Sequence, residues 1–345
     1  MQWDVFCRVI DNFGDIGVCW RLSADLAARG ESVRLWVDDP SALAWMAPTG
    51  AASVSVQAWT DPLPDFAPGD VVIEAFGCEI PPRVVQRMSE ATPAPTWINL
   101  EYLSAEAYVA RNHRLPSPQL SGPGRGLSKW FFYPGFSPAT GGLIREPGLL
   151  DARRRFSREG WLQSHGIAPE PNQRLISLFS YDNQALPGLL RSLSGAPVLL
   201  LVTAGAAAAL PNLPASVQTR HLPYLSQTDY DRLLWSCDLN LVRGEDSLVR
   251  ALWAGQPFIW QIYPQTDEAH AIKLDAFLNL FLAGMPAAEA AGLRGCWAAW
   301  NHLPPLTNQT PSWAHWSAHC ARWRDHLATQ ADLTSQLLGF ARETR

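Results

Sequence analysis

The sequence contains no apolar run long enough to cross a bilayer. Even the stretch LPGLLRSLSGAPVLLLVTAG is interrupted by Pro, Gly, Ser and Arg, whereas a membrane-spanning helix needs about 20 predominantly apolar residues. The opening residues, MQWDVFCRVIDNFGD, lack the basic and apolar regions of a secretory signal and are typical of a buried strand. We therefore expect a cytoplasmic protein that does not enter a membrane.

Clusters of basic residues are absent as well. The chain has 27 Lys and Arg against 32 Asp and Glu, a net charge of −5, without long runs of one sign. Such a surface offers no basic stripe to neutralise a phosphate backbone, so we do not expect a nucleic acid partner. Hydrophobic residues make up 47% of the chain and charged residues 17%, which favours folded domains over disorder.

Paired cysteine motifs are also missing. The six cysteines are scattered, with no CxxC, which predicts reduced core residues. His315 and His319 lie four residues apart beside Cys320, but no further ligand cluster or hydrolase glutamate accompanies them, so no metal site is expected. Large side chains recur at helical spacing in this segment and predict a packing face: Trp313, Trp316, Cys320 and Trp323.

The length of 345 residues suits two domains of roughly 150 residues each. In the first half, β-rich runs alternate with helical segments, and this alternation implies a parallel sheet. The predicted strands are 5–10, 32–37, 54–57, 71–75 and 97–100, and the predicted helices are 18–29, closed by Gly30, and 81–90. Between Ser104 and Pro147 the alternation fails, and we expect an irregular segment before the domain join.

A second alternating series follows the join. It begins with a helix-like segment at 151–166 and predicts strands in LISLFSY, PVLLLVTAG, VQTRHLP, LNLVRG and PFIWQIYP, and helices at about 230–237, 247–254 and 267–282. We predict two doubly wound, Rossmann-like α/β domains, 1–150 and 151–328, with the C-terminal helix 329–345 returning to the first. Ligands should bind in the cleft where the carboxyl ends of both sets of strands face each other.

The first informative loop is DNFGDIG, residues 11–17, which leaves the first strand and enters the first helix. A dinucleotide site would use Gly14 and Gly17, with Asp38 or Asp39 on the ribose, but G-x-G-x-x-G is not fulfilled. Asp11 and Asp15 could instead only cap the helix. We favour two carboxylates aimed at a cationic or protic acceptor.

The second informative loop is Arg243-Gly244-Glu245-Asp246-Ser247, which leaves a strand and opens a helix. Backbone amides at a helix start can bind a diphosphate, and Ser247 can add a hydroxyl. Glu245 and Asp246 would repel phosphate unless they turn toward sugar or nucleoside hydroxyls. The alternative is that these acids only stabilise the helix start.

Long ordered segments of the chain, above all DNFGDIG, SLFSYDN, LPYLSQTDYDRLLWSCDLNLVRGEDS and ALWAGQPFIWQIYPQ, closely resemble the bacterial protein-arginine rhamnosyltransferases that modify translation elongation factor P, the EarP family. The similarity covers nearly the whole sequence. It implies a GT-B fold, an N-terminal domain that binds the protein acceptor, and a C-terminal domain that binds dTDP-β-L-rhamnose. It also implies inverting transfer of rhamnose to an arginine, without a cofactor.

The resemblance also implies roles for individual residues. Asp11 and Asp15 are the acceptor-side acids, and Asp15 is assigned as base with Asp11 as clamp, since an arginine nitrogen attacks only if it is oriented and can lose a proton. Glu245 is counted as catalytic. The residues expected at the substrates are Asn12, Phe13, Gly14, Phe179, Tyr181, Gln227, Arg243, Gly244, Asp246 and Ser247.

Two other functions stay open on the sequence alone. The chain could be a GT-B transferase that uses another sugar nucleotide and a small acceptor, in which case the fold would be unchanged. It could also be a non-catalytic module that binds a protein partner, and such a module would tolerate the loss of Asp15.

Overall fold

The computed structural model describes residues 1–10, 13–193, 195–206, 210, 212–263, 269–303 and 311–344. The chain divides into two compact α/β units: unit 1 is Met1–Pro147 with Thr329–Arg345, and unit 2 is Gly148–Ala328. No helix in the described ranges is long and apolar enough to cross a membrane.

Unit 1 is built on a seven-stranded sheet with the order β3-β2-β1-β4-β5-β7-β6, parallel except for β6, which pairs antiparallel with β7. Its strands are β1 (Gln2–Cys7), β2 (Ser32–Val37), β3 (Val54–Ala58), β4 (Val71–Ala75), β5 (Thr96–Leu100), β6 (Leu115–Pro118) and β7 (Ser128–Phe132). Its helices are α1 (Gly14–Ala28), α2 (Leu43–Met46), α3 (Pro82–Glu90), α4 (Ala107–Asn112) and, last in the chain, α13 (Leu333–Glu343).

Both faces of the central strands β1, β4 and β5 are buried, and successive side chains of each strand enter opposite cores. In β1, Val5 packs in a core with α1 and α13, and Phe6 packs in a second core with α3. The C-terminal helix is a working part of unit 1: Leu337 of α13 is fully buried, and the amide of Leu333 donates to the carbonyl of Leu143 at 2.9 Å. Because β1, β4, β5 and β7 run parallel, their carboxyl ends lie along one edge of the sheet.

The first helix begins earlier than predicted. The sequence predicted a helix from about Val18, but α1 begins at Gly14, with the Gly17 amide donating to the carbonyl of Phe13 at 3.0 Å. Glycines disfavour helix, yet Ile16 is fully buried in the core, and that burial outweighs the cost of the two glycines. Asp15 consequently lies in the first helical turn rather than in a loop.

The expectation of an irregular segment over residues 104–147 was wrong in part. It contains helix α4 and the strands β6 and β7, which extend the sheet beyond β5. Prolines at the second and last positions of β6 make its sequence resemble a loop, but Pro is tolerated on an edge strand, where an amide can face away from the sheet. The stretch SKWFF of β7 forms because it pairs with β5, a non-local contact.

Unit 2 is built on a wholly parallel five-stranded sheet with the order β10-β9-β8-β11-β12. Its strands are β8 (Arg174–Leu178), β9 (Val198–Val202), β10 (Val217–His221), β11 (Leu239–Arg243) and β12 (Phe258–Gln261). Its helices are α5 (Leu149–Arg154), α6 (Arg158–Ser164), α7 (Leu186–Ser192), α8 (Gln227–Ser236), α9 (Gly244–Ala254), α10 (Ala269–Phe281), α11 (Ala287–Trp300) and α12 (Trp313–Ala328).

The predicted packing face near the end of unit 2 is confirmed. On α12, Trp316 and Cys320 are buried, and Trp323 packs edge-on against Phe281 with ring centroids 5.2 Å apart. His319 on the same helix hydrogen-bonds the carbonyl of Phe281 at 2.6 Å. The six cysteines are all free thiols, and five of them are buried, as expected for reduced core residues.

Two helices of unit 2 begin at positions other than the predicted ones because a serine caps each of them. The segment 151–166 is two helices, α5 and α6, since Ser157 caps α6 by accepting from the Gly160 amide at 3.1 Å. Ser226 caps α8 in the same way through Asp229, so α8 begins at Gln227 instead of about 230. Helix α10 begins at Ala269, and the predicted start at 267 lies outside the described residues.

Candidate functional site

Of the two acids in the segment after β1, Asp11 and Asp15, the structure describes Asp15. It is 3% exposed, and its Oδ2 accepts a hydrogen bond from the Ile10 amide at 2.8 Å. The Tyr102 hydroxyl lies 3.5 Å from its Oδ1. Because the Ile10 amide precedes the helix, the carboxylate ties the segment after β1 to the first turn of α1. Asp11 and Asn12 lie outside the described residues.

Phe13 and Gly14 hold the entry to α1. Phe13 occupies the N-cap position, its side chain makes no capping hydrogen bond, and its ring packs edge-on against Trp45 with centroids 5.1 Å apart. Gly14 is the first helical residue. These two residues, placed at the substrates by the sequence, thus shape the turn that carries Asp15.

Aromatic side chains that the sequence did not single out lie close to Asp15. Tyr102 follows β5 and is 37% exposed, and its ring stacks on that of Phe76, which follows β4, with centroids 4.5 Å apart and planes 14° apart. Glu101, beside Tyr102, is half-buried, and burial raises the pKa of its carboxyl group. Nothing in the local sequence reveals these contacts, since β4 and β5 meet only in the folded sheet.

The thiol of Cys19, one helical turn after Asp15, is kept protonated by its surroundings. The pKa of Cys19 is raised well above its ordinary value by the hydrogen bond with Cys7, by burial, and by the nearby charge of Asp15. A neutral thiol is not a nucleophile at neutral pH, so Cys19 is a core residue of α1.

In unit 2, the turn from β11 into α9 carries the second loop. Gly244, the first residue of α9, has φ +71°, a left-handed conformation that glycine adopts without strain. The first amides of a helix have no partner within the helix and can bind an anion. The structure therefore forms the turn that the sequence predicted at this position.

Arg243 is held below this turn by two aromatic rings. Its guanidinium carbon lies 4.5 Å from the ring centroid of Phe179 and 4.4 Å from that of Tyr181. Its Nη1 donates to the carbonyl of Ser180 at 3.2 Å, and the residue is buried. Arg243 is thus a fixed positive charge locked between the residues that follow β8.

The polar side chains of the turn already have partners inside unit 2. The Ser247 hydroxyl donates to the carbonyl of Arg243. Glu245 forms an ion pair with Lys273 of α10, at 3.2 Å between Oε1 and Nζ. Asp246 lies beside them in the first turn, half-buried. Lys273 was not predicted, because it is distant in sequence and carries no local signal.

The remaining predicted residues lie at the same edge of the sheet of unit 2. The Tyr181 amide donates to Gln261 Oε1 at the end of β12, at 2.8 Å, and the Tyr181 ring packs edge-on against Tyr263. Gln227 begins α8, and Tyr230 of that helix packs edge-on against Phe179, with centroids 5.8 Å apart. Because β8, β11 and β12 are neighbours, the structure brings Phe179, Tyr181 and Arg243–Ser247 together.

The histidine pair near the C-terminus has partners of its own within unit 2. Among the residues that the structure describes, no group of three or more His, Cys, Asp or Glu side chains could hold a metal ion. His315, considered from the sequence, instead pairs with Glu289 at 2.9 Å, and this pairing lowers the pKa of Glu289.

The chain is similar to known proteins over nearly its whole length. A family model described as Elongation-Factor P (EF-P) rhamnosyltransferase EarP matches residues 3–342. The chain is 45% identical to the protein-arginine rhamnosyltransferase of Pseudomonas aeruginosa, with 98% of each chain covered, and 36% identical to that of Shewanella oneidensis, with 99% and 98% covered.

Solved structures agree in fold. The chain is similar to a structure described as the structural basis for EarP-mediated arginine glycosylation of translation elongation factor EF-P, with TM-score 0.67, 33% identity, and 100% and 99% of the two chains covered. It is also similar to the spinosyn rhamnosyltransferase SpnG in complex with spinosyn aglycone, with TM-score 0.53, 12% identity, and 99% and 100% covered. The latter likeness speaks for the fold alone, and the fold of the chain is GT-B.

Proposed function

The chain belongs to the EarP family of elongation factor P rhamnosyltransferases, and on that premise we propose that it transfers L-rhamnose from dTDP-β-L-rhamnose to an arginine side chain of translation elongation factor P. The observation that carries the proposal is the family match over nearly the whole chain. In this proposal unit 1 binds the protein acceptor and unit 2 binds the nucleotide sugar.

The acceptor chemistry requires carboxylates. A guanidinium has delocalised nitrogen electrons and a pKa above about 12, so it is a poor nucleophile until it is oriented and can give up a proton. We propose that Asp15 accepts the proton and that Asp11 holds the guanidinium through two hydrogen bonds. The close packing of Asp15 against Ile10 and Tyr102 supports this role, because it fixes the carboxylate before substrate arrives.

The reaction is written as one displacement. A guanidinium nitrogen forms a bond to the anomeric carbon of rhamnose while the bond from that carbon to dTDP oxygen breaks, with inversion at the carbon. The nitrogen loses its proton to Asp15, and dTDP leaves with the electron pair. Charge that develops on the leaving diphosphate is the charge the donor site must stabilise.

The donor site supplies that stabilisation through fixed groups. The amides at the start of α9, where Gly244 has a left-handed conformation, are suited to the diphosphate, and Ser247 can add its hydroxyl when it turns away from the Arg243 carbonyl. Arg243 and Lys273 bring positive charge to this edge. We propose that Glu245 and Asp246 turn to sugar hydroxyls, that Gln227, Phe179 and Tyr181 contact the nucleotide, and that neither metal nor cofactor takes part.

The test is a comparison of donors. Elongation factor P is incubated with the protein and dTDP-β-L-rhamnose, dTDP-glucose or UDP-glucose in parallel, and its intact mass is measured. We expect a gain of one deoxyhexose with the first donor and no change with the others. Equal transfer from the glucose donors would support a transferase of different specificity, and no transfer from any donor by protein that binds dTDP would contradict the proposal.

A further inference from the structure

Two stacked aromatic rings, one half-buried and one exposed, lie at the proposed acceptor edge of unit 1. Phe76 follows β4 and Tyr102 follows β5, and their rings are stacked with centroids 4.5 Å apart and planes 14° apart. We call this pair the Phe76–Tyr102 stack. Phe76 covers one side of the Tyr102 ring, and Tyr102 nevertheless stays 37% exposed. The stack thus presents an aromatic surface to solvent.

The backbone conformation of Phe76 is unusual for an aromatic residue. Its φ is +57°, in the left-handed region, and Gly77 after it has φ +65°. A bulky residue is a genuine outlier there, and such strain persists where the surrounding structure enforces it, often at functional sites. Here the Phe76 amide donates to the carbonyl of Leu100 at 2.7 Å, which holds the residue against the end of β5. The chain accepts this strain and keeps a ring where glycine would fit more easily.

The stack adjoins the carboxylate that is proposed as base. The Tyr102 hydroxyl lies 3.5 Å from Asp15 Oδ1, and Asp15 itself is 3% exposed. The partly exposed Tyr102 thus lies directly beside the buried carboxylate. Aromatic face and carboxylate together are the environment that a guanidinium prefers, because its planar, weakly hydrated cation stacks on rings and its N–H groups pair with carboxylates.

We propose that the Phe76–Tyr102 stack is the platform on which the acceptor guanidinium lies, with Tyr102 contacting its plane and Phe76 fixing the Tyr102 ring from behind. The inference rests on the proposed function, since it supplies a contact for the arginine acceptor. It makes Tyr102 a substrate-binding residue and Phe76 a positioning residue. The ring, rather than the hydroxyl, provides the contact.

The first test separates ring from hydroxyl. Tyr102→Leu should raise the KM for elongation factor P by roughly 3- to 30-fold, the range that a cation–π contact implies, with a smaller change in kcat and no change in dTDP affinity. Tyr102→Phe keeps the ring and removes the hydroxyl that contacts Asp15, so its KM should stay within about 3-fold of the parent protein and any loss should fall on kcat. Tyr108→Leu is the matched control, because Tyr108 is 38% exposed in the same unit and lies outside the stack.

A binding cycle then ties the effect to arginine. Affinities are measured by calorimetry without donor, for elongation factor P and for its variant in which the acceptor arginine is alanine. Tyr102→Leu should weaken binding of the first and leave binding of the second unchanged. An unchanged KM in Tyr102→Leu, equal losses in Tyr102→Leu and Tyr102→Phe, or equal weakening toward both acceptors would each overturn the platform.

Failure of the proposed function would look different. If the parent protein neither binds nor modifies elongation factor P, that function fails, and propylguanidinium serves as the probe of the platform. NMR should then show a saturable shift of the Tyr102 ring resonances with propylguanidinium that propylammonium does not match. No shift, or equal shifts with both cations, would overturn the platform itself.

Discussion

At the scale of single residues, Asp15 links the segment after β1 to α1 and is also the proposed base. Asp15→Asn keeps the shape of the side chain and removes its basicity. If Asp15 is the base, kcat should fall by roughly 10²- to 10⁴-fold, while the affinity for dTDP should stay unchanged, since the proposed function assigns dTDP to unit 2. Single-turnover kinetics and calorimetry measure the two quantities.

Asp39→Asn is the matched control for this variant. Asp39 is an exposed acid just after β2, where its carboxylate accepts from the Ser41 amide at 2.9 Å. The activity of Asp39→Asn should equal that of the parent protein. In a dinucleotide site, by contrast, Asp39 would be essential. Near-normal turnover in Asp15→Asn together with an inactive Asp11→Asn would reverse the assignment of base and clamp. Full activity in both would end the two-carboxylate mechanism.

His113 gives unit 1 a dependence of stability on pH. Burial, assisted by the charge of Arg114, lowers its pKa to about 4, and its Nδ1 accepts the Tyr133 amide at 3.2 Å, which requires an unprotonated nitrogen. In the unfolded chain the pKa is about 6.5, so between about pH 6.5 and 4 the unfolded state binds more protons. The stability contributed by neutral His113 is therefore present above this window and is lost as pH falls through it.

His113→Asn replaces the titrating ring with an amide that still can accept the Tyr133 N–H. We expect the free energy of unfolding of the parent protein to fall more steeply than that of His113→Asn between about pH 7 and about pH 5. Urea denaturation at each pH measures this difference. Parallel pH dependences in the two proteins would show that His113 does not titrate in the window.

The residues that sequence could predict are those whose signal is local. Arg243, Gly244 and Asp15 each stand at the junction of a strand and a helix, and strand ends are where parallel sheets place ligands. Tyr102 and Lys273 lack any such signal, since the first meets Asp15 across three strands and the second meets Glu245 from another helix. The sequence therefore predicts which turns lie at a sheet edge better than it predicts which distant side chains contact those turns.

At the scale of elements, the turn from β11 into α9 depends on glycine. Gly244→Ala would place a Cβ at φ +71°, which costs about 1–2 kcal/mol and would shift the amides at the start of α9. We expect a several-fold loss of dTDP affinity in calorimetry, together with a lower melting temperature.

Gly284→Ala controls for the backbone cost in this experiment. Gly284 also has a positive φ, +79°, in unit 2, and an added Cβ there would meet nothing within 4 Å. It should lower the melting temperature to a similar degree without changing dTDP affinity. If the two variants bind dTDP equally well, the diphosphate does not contact this turn.

Helices α8 and α9 are joined by a buried ion pair. Arg250 Nε and Nη2 bind Asp231 Oδ1 and Oδ2 at 2.7 and 2.6 Å, and both residues are buried. Removing one partner leaves an uncompensated buried charge, so Arg250→Met should lower the free energy of unfolding by about 3–5 kcal/mol. The exposed pair of Arg232 with Asp229 is the control, and Arg232→Met should cost at most about 1 kcal/mol. Equal effects in urea denaturation would contradict this difference.

The order of elements was predictable because hydrophobic runs alternate between two periods along most of the chain. The bounds were less predictable, since burial of Ile16 starts α1 early and Ser157 divides the helix expected after the join. Strands β6 and β7 were missed because their pairing with β5 is non-local and their sequence is rich in proline and glycine. Tertiary pairing decided each of these cases.

At the scale of the whole molecule, the chain forms two α/β units, and its last helix belongs to the first of them. Length and the repeated alternation of strands and helices predict two parallel sheets. The assignment of acceptor to unit 1 and donor to unit 2 is a proposal that follows from the family.

We propose that this chain places rhamnose on an arginine of elongation factor P. The decisive measurement is fragmentation mass spectrometry of elongation factor P after incubation with the protein and dTDP-β-L-rhamnose. We expect one added deoxyhexose, located on an arginine side chain, and no addition when that arginine is replaced by lysine. A deoxyhexose on a serine, threonine or lysine, or no addition by folded protein that binds dTDP, would contradict it.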